Sequence, residues 1–552
     1  MTRTPFDKRS LAGLTRNPVN AAAPSAGVAP AAVPPVLRMV VGLDAAPVPL
    51  TAPDLAALSD PFALLILRRD ERPMTVDALL ERLDILSAAA ALADAAVPEE
   101  QVFLVGEGGQ IPFTPVTASL NRELRFVVAR TGASGRLILL SVDDRPSANT
   151  GLLQVLSWDP SKGAYNFYQR RDDVWFYSGD GTHALEPPTR GRGPFDGHVN
   201  GSLVMKELRA PWLHWNSQSV LIPPEAFAPG HPILGHRLMT HSQGAEILER
   251  DIVQPGIDRW TEARFDRSIQ AGTLSAADTF LRQLVQTTSV NLVASDREFR
   301  ELAAGVKVNV PPEILLNVEA WSRLLDPQTI RGRIQVDGGH LLQAIDDLGI
   351  ALEDPAADFR QIGEAFFVLA CPSPAFEDLS IIFALIDRGV LSLGLVRAIL
   401  AVDFSNPIQS SRRAGLQRHM PKSGALGTGA ASCEALILDA FAAEAVARPD
   451  SDEAQVLDWI ATGDDAAQRA RIGAQIAAYY EAAKRRLQTE QGVRDLMRLV
   501  VSRRRYFRTL GVSEFALTLP VDSLLPDAAP VMMAPDATIF EVPDLIASRI
   551  GG

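Results

Sequence analysis

The segments Gln101-Val-Phe-Leu-Val105, Leu124-Arg-Phe-Val-Val-Ala129, Arg136-Leu-Ile-Leu-Leu-Ser141, Leu152-Leu-Gln-Val-Leu-Ser157, Ala164-Tyr-Asn-Phe-Tyr168 and Val174-Trp-Phe-Tyr177 decide the fold. Each is short and rich in β-branched and aromatic residues, the side chains that pack best on a pleated surface. Thr131-Gly-Ala-Ser-Gly135, Asp159-Pro-Ser-Lys-Gly163 and Arg170-Arg-Asp-Asp173 separate successive segments and have hairpin length and chemistry. The economical reading is six strands in an antiparallel meander.

On the N-terminal side, Thr75 precedes Val76-Asp77-Ala78-Leu79-Leu80-Glu81-Arg82-Leu83, which predicts a Thr-capped amphipathic helix. Residues 1–36 read as a disordered Ala- and Pro-rich tail. Arg3, Lys8, Arg9 and Arg16 stand before its apolar part as in a signal peptide, but Pro24, Pro30, Pro34 and Pro35 break a continuous apolar helix there. On the C-terminal side, residues 180–242 carry many Pro, Gly and Asn, with Gly201-Ser-Leu-Val-Met-Lys-Glu207 as one further candidate strand. Beyond Gly244 helical periodicity takes over, in Ala245–Val253, Ala276–Val285, Cys433–Ala447 and Ala466–Leu487.

The expected architecture is therefore α+β: the tail 1–36, a β-rich domain 37–242 ending in a loop-rich His/Trp region, and a mainly helical domain 243–552 with a sub-boundary near Gly424. Division is expected because a single core stops growing at roughly 250–300 residues and this chain has 552. The junction of the two halves is the natural place for a pocket.

Composition removes several function classes. A net charge of −13 argues against general nucleic-acid binding, which draws on clustered Lys and Arg. Cys371 and Cys433 lie far apart and form no CxxC, so a disulfide framework and a thiolate zinc site are both disfavoured and a reducing, cytoplasmic setting is expected. No run of about 18 apolar residues occurs to span a bilayer. Gly179-Asp-Gly181-Thr-His-Ala184 has the letters of a dinucleotide fingerprint, but Pro187 and Pro188 fall where the phosphate-binding helix would run, so no nucleotide cofactor is supported.

Two features point to function. Six of the eight histidines, His183, His198, His214, His231, His236 and His241, crowd one stretch, with Trp158, Trp175, Trp212 and Trp215 in or just before it. Imidazole is the commonest metal ligand, so His198, His214, His236 and His241 with Glu207 are the candidate ligands for iron, copper or zinc. Asp196 is a catalytic carboxylate candidate, and Trp212 and Trp215 an apolar substrate wall. Arg190 and Arg192 are candidates for gripping a carboxylate or phosphate by bidentate bonds. His231, His236 and His241 recur every five residues, a spacing that no helix or strand presents on one face, so loops would have to bring the imidazoles together. Hydrogen-bonded or surface histidines are the competing reading.

The second feature is a basic helix containing Lys484, Arg485, Arg486, Arg494, Arg498, Arg503, Arg504, Arg505 and Arg508, suited to an acidic partner or else paired with Glu481, Glu490 and Asp495. These observations lead to two expectations. One is a metal-dependent oxidoreductase, oxygen-using, acting on an apolar or aromatic small molecule. The other is a non-catalytic binding protein that docks through the basic helix or the aromatic face.

Overall fold

The computed structural model describes residues 35–508 and 530–542, apart from 70–71, 91–98, 107–113, 120–123, 204–208, 211, 213, 299, 326–332, 355–358 and 363–367. The expected tail and the strand through Glu207 fall largely outside these residues. All six meander segments form strands: β3 (Glu99–Gly106), β4 (Leu124–Thr131), β5 (Leu137–Asp143), β6 (Leu153–Asp159), β7 (Ala164–Arg171) and β8 (Val174–Asp180). Each pairs antiparallel with the next. Three short strands complete a mixed nine-stranded sheet. β1 (Leu37–Arg38) adds parallel to β8, β2 (Val48–Pro49) adds outside β1, and β9 (Ser242–Gln243) adds parallel to β3.

The period of two along each strand sends side chains to alternate faces, and here both faces are apolar. Val102, Phe126, Ile138, Val155 and Trp175 point to one face, against Phe62–Leu67 and the helix Val76–Ala90, whose Ala78 amide is capped by Thr75 Oγ1 at 3.2 Å. Phe103, Val127, Leu139, Trp158 and Phe167 point to the other, against Leu248, Ile252, Ile257 and Trp260. A sheet covered on both sides reads as nearly continuous hydrophobic runs, which is what these strands show.

The second cover is a long helical stretch. Ala245–Leu248 runs through a π-turn, Glu249–Val253, into the helix Gln254–Ser268. The break expected near His241 thus falls just before a helix that packs on the sheet. Tyr165 Oη donates to Gly256 O at 2.9 Å and Trp260 Nε1 donates to Asn200 O at 2.7 Å, so the strands, the helix and the loop after β8 are tied together. That loop returns close to β8: a Cβ on Gly181 would lie 2.6 Å from Gly201 O, and Gly201 itself has φ +76. Only glycine serves at this crossing.

Helix dominates the C-terminal half, in Ala277–Val285, Phe376–Asp387, Leu393–Ala401, Cys433–Ala447, Asp465–Arg486 and Glu490–Arg508, around one large apolar core. Short antiparallel ladders also occur there, among them Val290–Ala294 with Ala370–Pro374, Lys307–Val310 with Ile334–Asp337, Ala351–Asp354 with Phe359–Ile362, and Val531–Met533 with Ile539–Glu541. A strand of three to five residues offers too few alternations to stand out from helical sequence. Gly424, read as punctuation between helices, lies in a short strand paired with Leu274. Cys371 and Cys433 are buried and not joined in a disulfide.

Trp260 is 1% exposed. Replacing it by Ala should cost about 3–5 kcal/mol, measured as a lowered urea midpoint. Trp260→Phe, which keeps most of the volume but loses the bond to Asn200, should cost only about 1–2 kcal/mol.

Candidate functional site

The crossing of the 181–203 loop over the 254–268 helix leaves a cavity of about 230 Å³ between the sheet half and the helical half. Arg190 and Asn200 reach it from the loop, Arg264 from the helix on the sheet, and Arg282, Gln283 and Thr288 from the helix Ala277–Val285 and the turn after it. Arg190 is the one sequence-predicted site residue among those lining it.

Arg264 is 5% exposed and on the buried stripe of its helix, with Ile257, Trp260, Thr261 and Phe265. It stacks 4.8 Å from the Phe280 ring centroid and donates to Gln283 Oε1 at 2.9 Å. The chain of polar contacts continues inward. Gln283 Nε2 donates to Asp378 Oδ1 at 3.0 Å, Thr288 donates to Asp378 through N at 3.0 Å and Oγ1 at 2.5 Å, and Asn200 Nδ2 donates to Thr288 Oγ1 at 2.8 Å. Asp378 therefore sets the orientation of both neutral side chains that face the arginines.

Burial disfavours each charge here. Burial lowers Arg264 to about 10, the nearby Arg267 adding to the effect while Asp378 and Glu377 oppose it. Burial also lowers Arg190, and the positive charge of Arg282, another residue lining the cavity, lowers it further. Burial raises Asp378 to about 6 against the pull of its hydrogen bonds, and holds the adjacent Glu377 well above the usual carboxylate range. Arg190 also donates to Leu185 O at 2.6 Å, and Arg282 Nε donates to Gln286 Oε1 at 3.1 Å.

The histidines are placed elsewhere. His198 folds onto its own loop, Nδ1 2.9 Å from Ser202 O, with its ring edge-on to Phe167, and burial lowers its pKa to about 4. His236 caps the helix Arg237–Thr240 by accepting from Leu238 N at 3.2 Å, and its Nε2 lies 2.9 Å from Asp77 on the opposite side of the sheet. No ion is shared across a sheet, so His198 and His236 do not act together. His241 ends that same short helix through its backbone, its N donating to Arg237 O at 2.9 Å. His214 is buried beside the end of β3, its carbonyl accepting from Gly106 N at 2.6 Å. Glu207 lies outside the described residues. Among the described residues no three His, Cys, Asp or Glu side chains gather as a metal requires.

Asp196 closes the 3₁₀ turn Gly193–Asp196, and Arg192, exposed, precedes it; neither lines the cavity. Trp215 is 1% exposed within the core beneath the sheet, and Trp212 packs against the same cluster and bonds the Glu249 carboxyl. Together they make core rather than a wall of this cavity.

The basic stretch expected as one helix is divided between two, Lys484, Arg485 and Arg486 ending Asp465–Arg486 and the other arginines lying on Glu490–Arg508, and it is engaged with its own surroundings. Arg486 pairs with Asp495, Arg494 with Asp347 at 2.9 Å and Arg498 with Glu541 at 3.0 Å. Arg503, 1% exposed, donates to Ile314 O and to Ser405 O at 3.2 Å. The side chains of Arg504, Arg505 and Arg508 lie outside the description.

Sequence reading missed Arg264, Arg282, Asp378 and Gln417. For Arg264 a signal exists: it occupies the apolar stripe of a helix, one turn after Trp260, where a charge is costly unless it is used or paired.

Because the folded-state pKa of Asp378 is raised to about 6, its protonated form favours the folded state. That contribution is full below the unfolded value near 4 and is lost as pH rises through about 6. Urea midpoints measured across this window should fall less steeply with rising pH in Asp378→Asn than in the parent protein; parallel curves would mean an ordinary carboxyl. No family model, curated protein or solved structure matches this chain.

Proposed function

We propose that the protein binds a small anionic molecule, a carboxylate or phosphate, in the cavity formed by Arg190, Arg264 and Arg282. The observation that carries this reading is the convergence of three guanidinium groups from separate elements on one partly dry volume, two of them lowered by burial and one further by its neighbour's charge. Placing like charges together in such surroundings costs free energy. An anion bridging them recovers it through charge-assisted, bidentate hydrogen bonds, for which the planar guanidinium is suited.

The reading is one of binding, with the halves of the fold as the two walls of the site. Catalysis at the histidine-rich stretch is not favoured, since His198 and His236 each hold a local partner on opposite sides of the sheet. Docking through the basic helix has less support, because Arg486, Arg494 and Arg498 already face carboxylates of this chain.

Isothermal titration with inorganic phosphate tests the proposal. The parent protein should bind with a dissociation constant in the micromolar to low millimolar range, about −4 to −8 kcal/mol. Arg190→Ala and Arg282→Ala should each weaken binding about tenfold or more, the value of one hydrogen bond to a charged group. Failure of phosphate and of simple carboxylates to bind, or affinity in either variant equal to that of the parent, refutes it.

A further inference from the structure

The two carboxyls behind the cavity bear on how an anion is held there, an inference that rests on the anion-binding reading. Glu377 and Asp378 are adjacent, both buried, and both in the first turn of the helix Phe376–Asp387. Their surroundings differ. Asp378 accepts from Gln283 Nε2, Thr288 N and Thr288 Oγ1. The two carboxyl oxygens of Glu377 meet no donor from any other described residue. An ionised carboxylate with nothing to solvate it costs far more than its protonation, whereas one that accepts several hydrogen bonds can keep its charge. At neutral pH Glu377 therefore carries the proton of the pair, and Asp378 carries the negative charge.

That charge already has a counterion. Asp378 favours the charged form of Arg264, which lines the cavity and is linked to it through Gln283. The other charged and titratable groups around the two are Glu377 on the same helix, Arg267, which acts on Arg264, and Arg190, Arg282 and Asp278 in the cavity lining. An anion arriving at Arg264 meets a cation with an existing partner, and in surroundings of low polarity it also repels the ionised Asp378. Neutralising Asp378 removes that repulsion and leaves Arg264 to the anion. Burial holds the carboxyl near the point of protonation, at about 6. Thr288, whose hydroxyl donates to Asp378 Oδ1 at 2.5 Å, also lines the cavity and connects the carboxyl to it.

We propose that the site binds its anion together with a proton: the anion pairs with Arg264, and Asp378 takes a proton from solvent, giving up its negative charge as another arrives. Reciprocity then requires that the proton and the anion each raise the affinity for the other. Affinity for the anion falls as pH rises through the range in which Asp378 ionises.

Titration calorimetry of the full chain with sulfate, whose charge is constant over the range used, reads the proton directly. Compared in two buffers of different ionisation enthalpy at pH about 6.5, the heats should show uptake of about half a proton per sulfate bound, as a tenfold coupling gives. Affinity should fall about tenfold between pH of about 5 and about 8. Asp378→Asn keeps the shape and an accepting oxygen but has no charge to lose. It should take up little or no proton, match the parent near pH of about 5, and bind sulfate about tenfold more tightly than the parent near pH of about 8. A residue that served the fold alone would weaken binding at every pH on removal. Glu377→Gln should keep the uptake, because that group is neutral in both states.

Sulfate binding without proton uptake overturns the coupling and leaves the anion site standing. So does uptake that survives Asp378→Asn or is lost in Glu377→Gln, and so does an Asp378→Asn protein that binds no better than the parent at the higher pH. Absence of sulfate and phosphate binding at every pH removes both proposals together.

Discussion

The helix laid on the inner face of the sheet is the constraint on which the rest depends. A meander with apolar residues on both sides is stable only if both faces are covered, and the cover on one side is the stretch from Ala245 to Ser268. Ile257 and Trp260 pay for the docking by apolar burial, and their positions dictate where Arg264, one turn further on, must lie. The same helix grips the 181–203 loop through Trp260 and Asn200. Loop, helix and sheet are thereby fixed together before any site residue is considered, and Arg190 and Arg264 come to one cavity as a consequence.

Buried arginine is used in two ways in this molecule. In the helical half it serves as a cross-link. Arg503 bonds carbonyls of Ile314 and Ser405, and Arg413 donates to Asp403 O at 2.6 Å and Asn406 O at 2.8 Å. Asn406 in turn pairs with Met533 through its N at 2.9 Å and its O at 2.8 Å, so the last described ladder is anchored on the same network. Carbonyl dipoles satisfy these guanidinium groups, and geometry leaves little for a ligand to add. Around the cavity, Arg264 has the neutral Gln283 as its hydrogen-bond partner, and the carboxyl of Asp378 stands one step behind that amide. The cross-linking arginines end on backbone carbonyls, whereas those around the cavity line an open volume.

Six strands and the main helices were legible because each follows a period that local sequence displays. The turns at Gly135 and Gly163, both at positive φ, and the Thr75 cap carry their own chemistry. The crowding of histidines was equally legible as composition, but composition says nothing of direction. His236 caps a short helix, His198 closes a loop and His214 lies against the end of a strand, so residues near in sequence are sent to different faces of the sheet. Two faces separated by a sheet cannot share one site.

What the chain determines by itself is therefore the meander, the helical half and the polar loops between them, since these rest on periodicity and turn chemistry within a few residues. Arg190 was visible as a residue able to hold an anion, in a loop free of regular structure. That Arg264, Arg282 and Gln417 would line the same cavity, and that Asp378 would stand behind Gln283, was decided only by tertiary packing. Those contacts join residues that lie far apart along the chain, and their meeting depends on which helix face docks on which sheet face, a choice made by the sum of apolar burial across the whole fold.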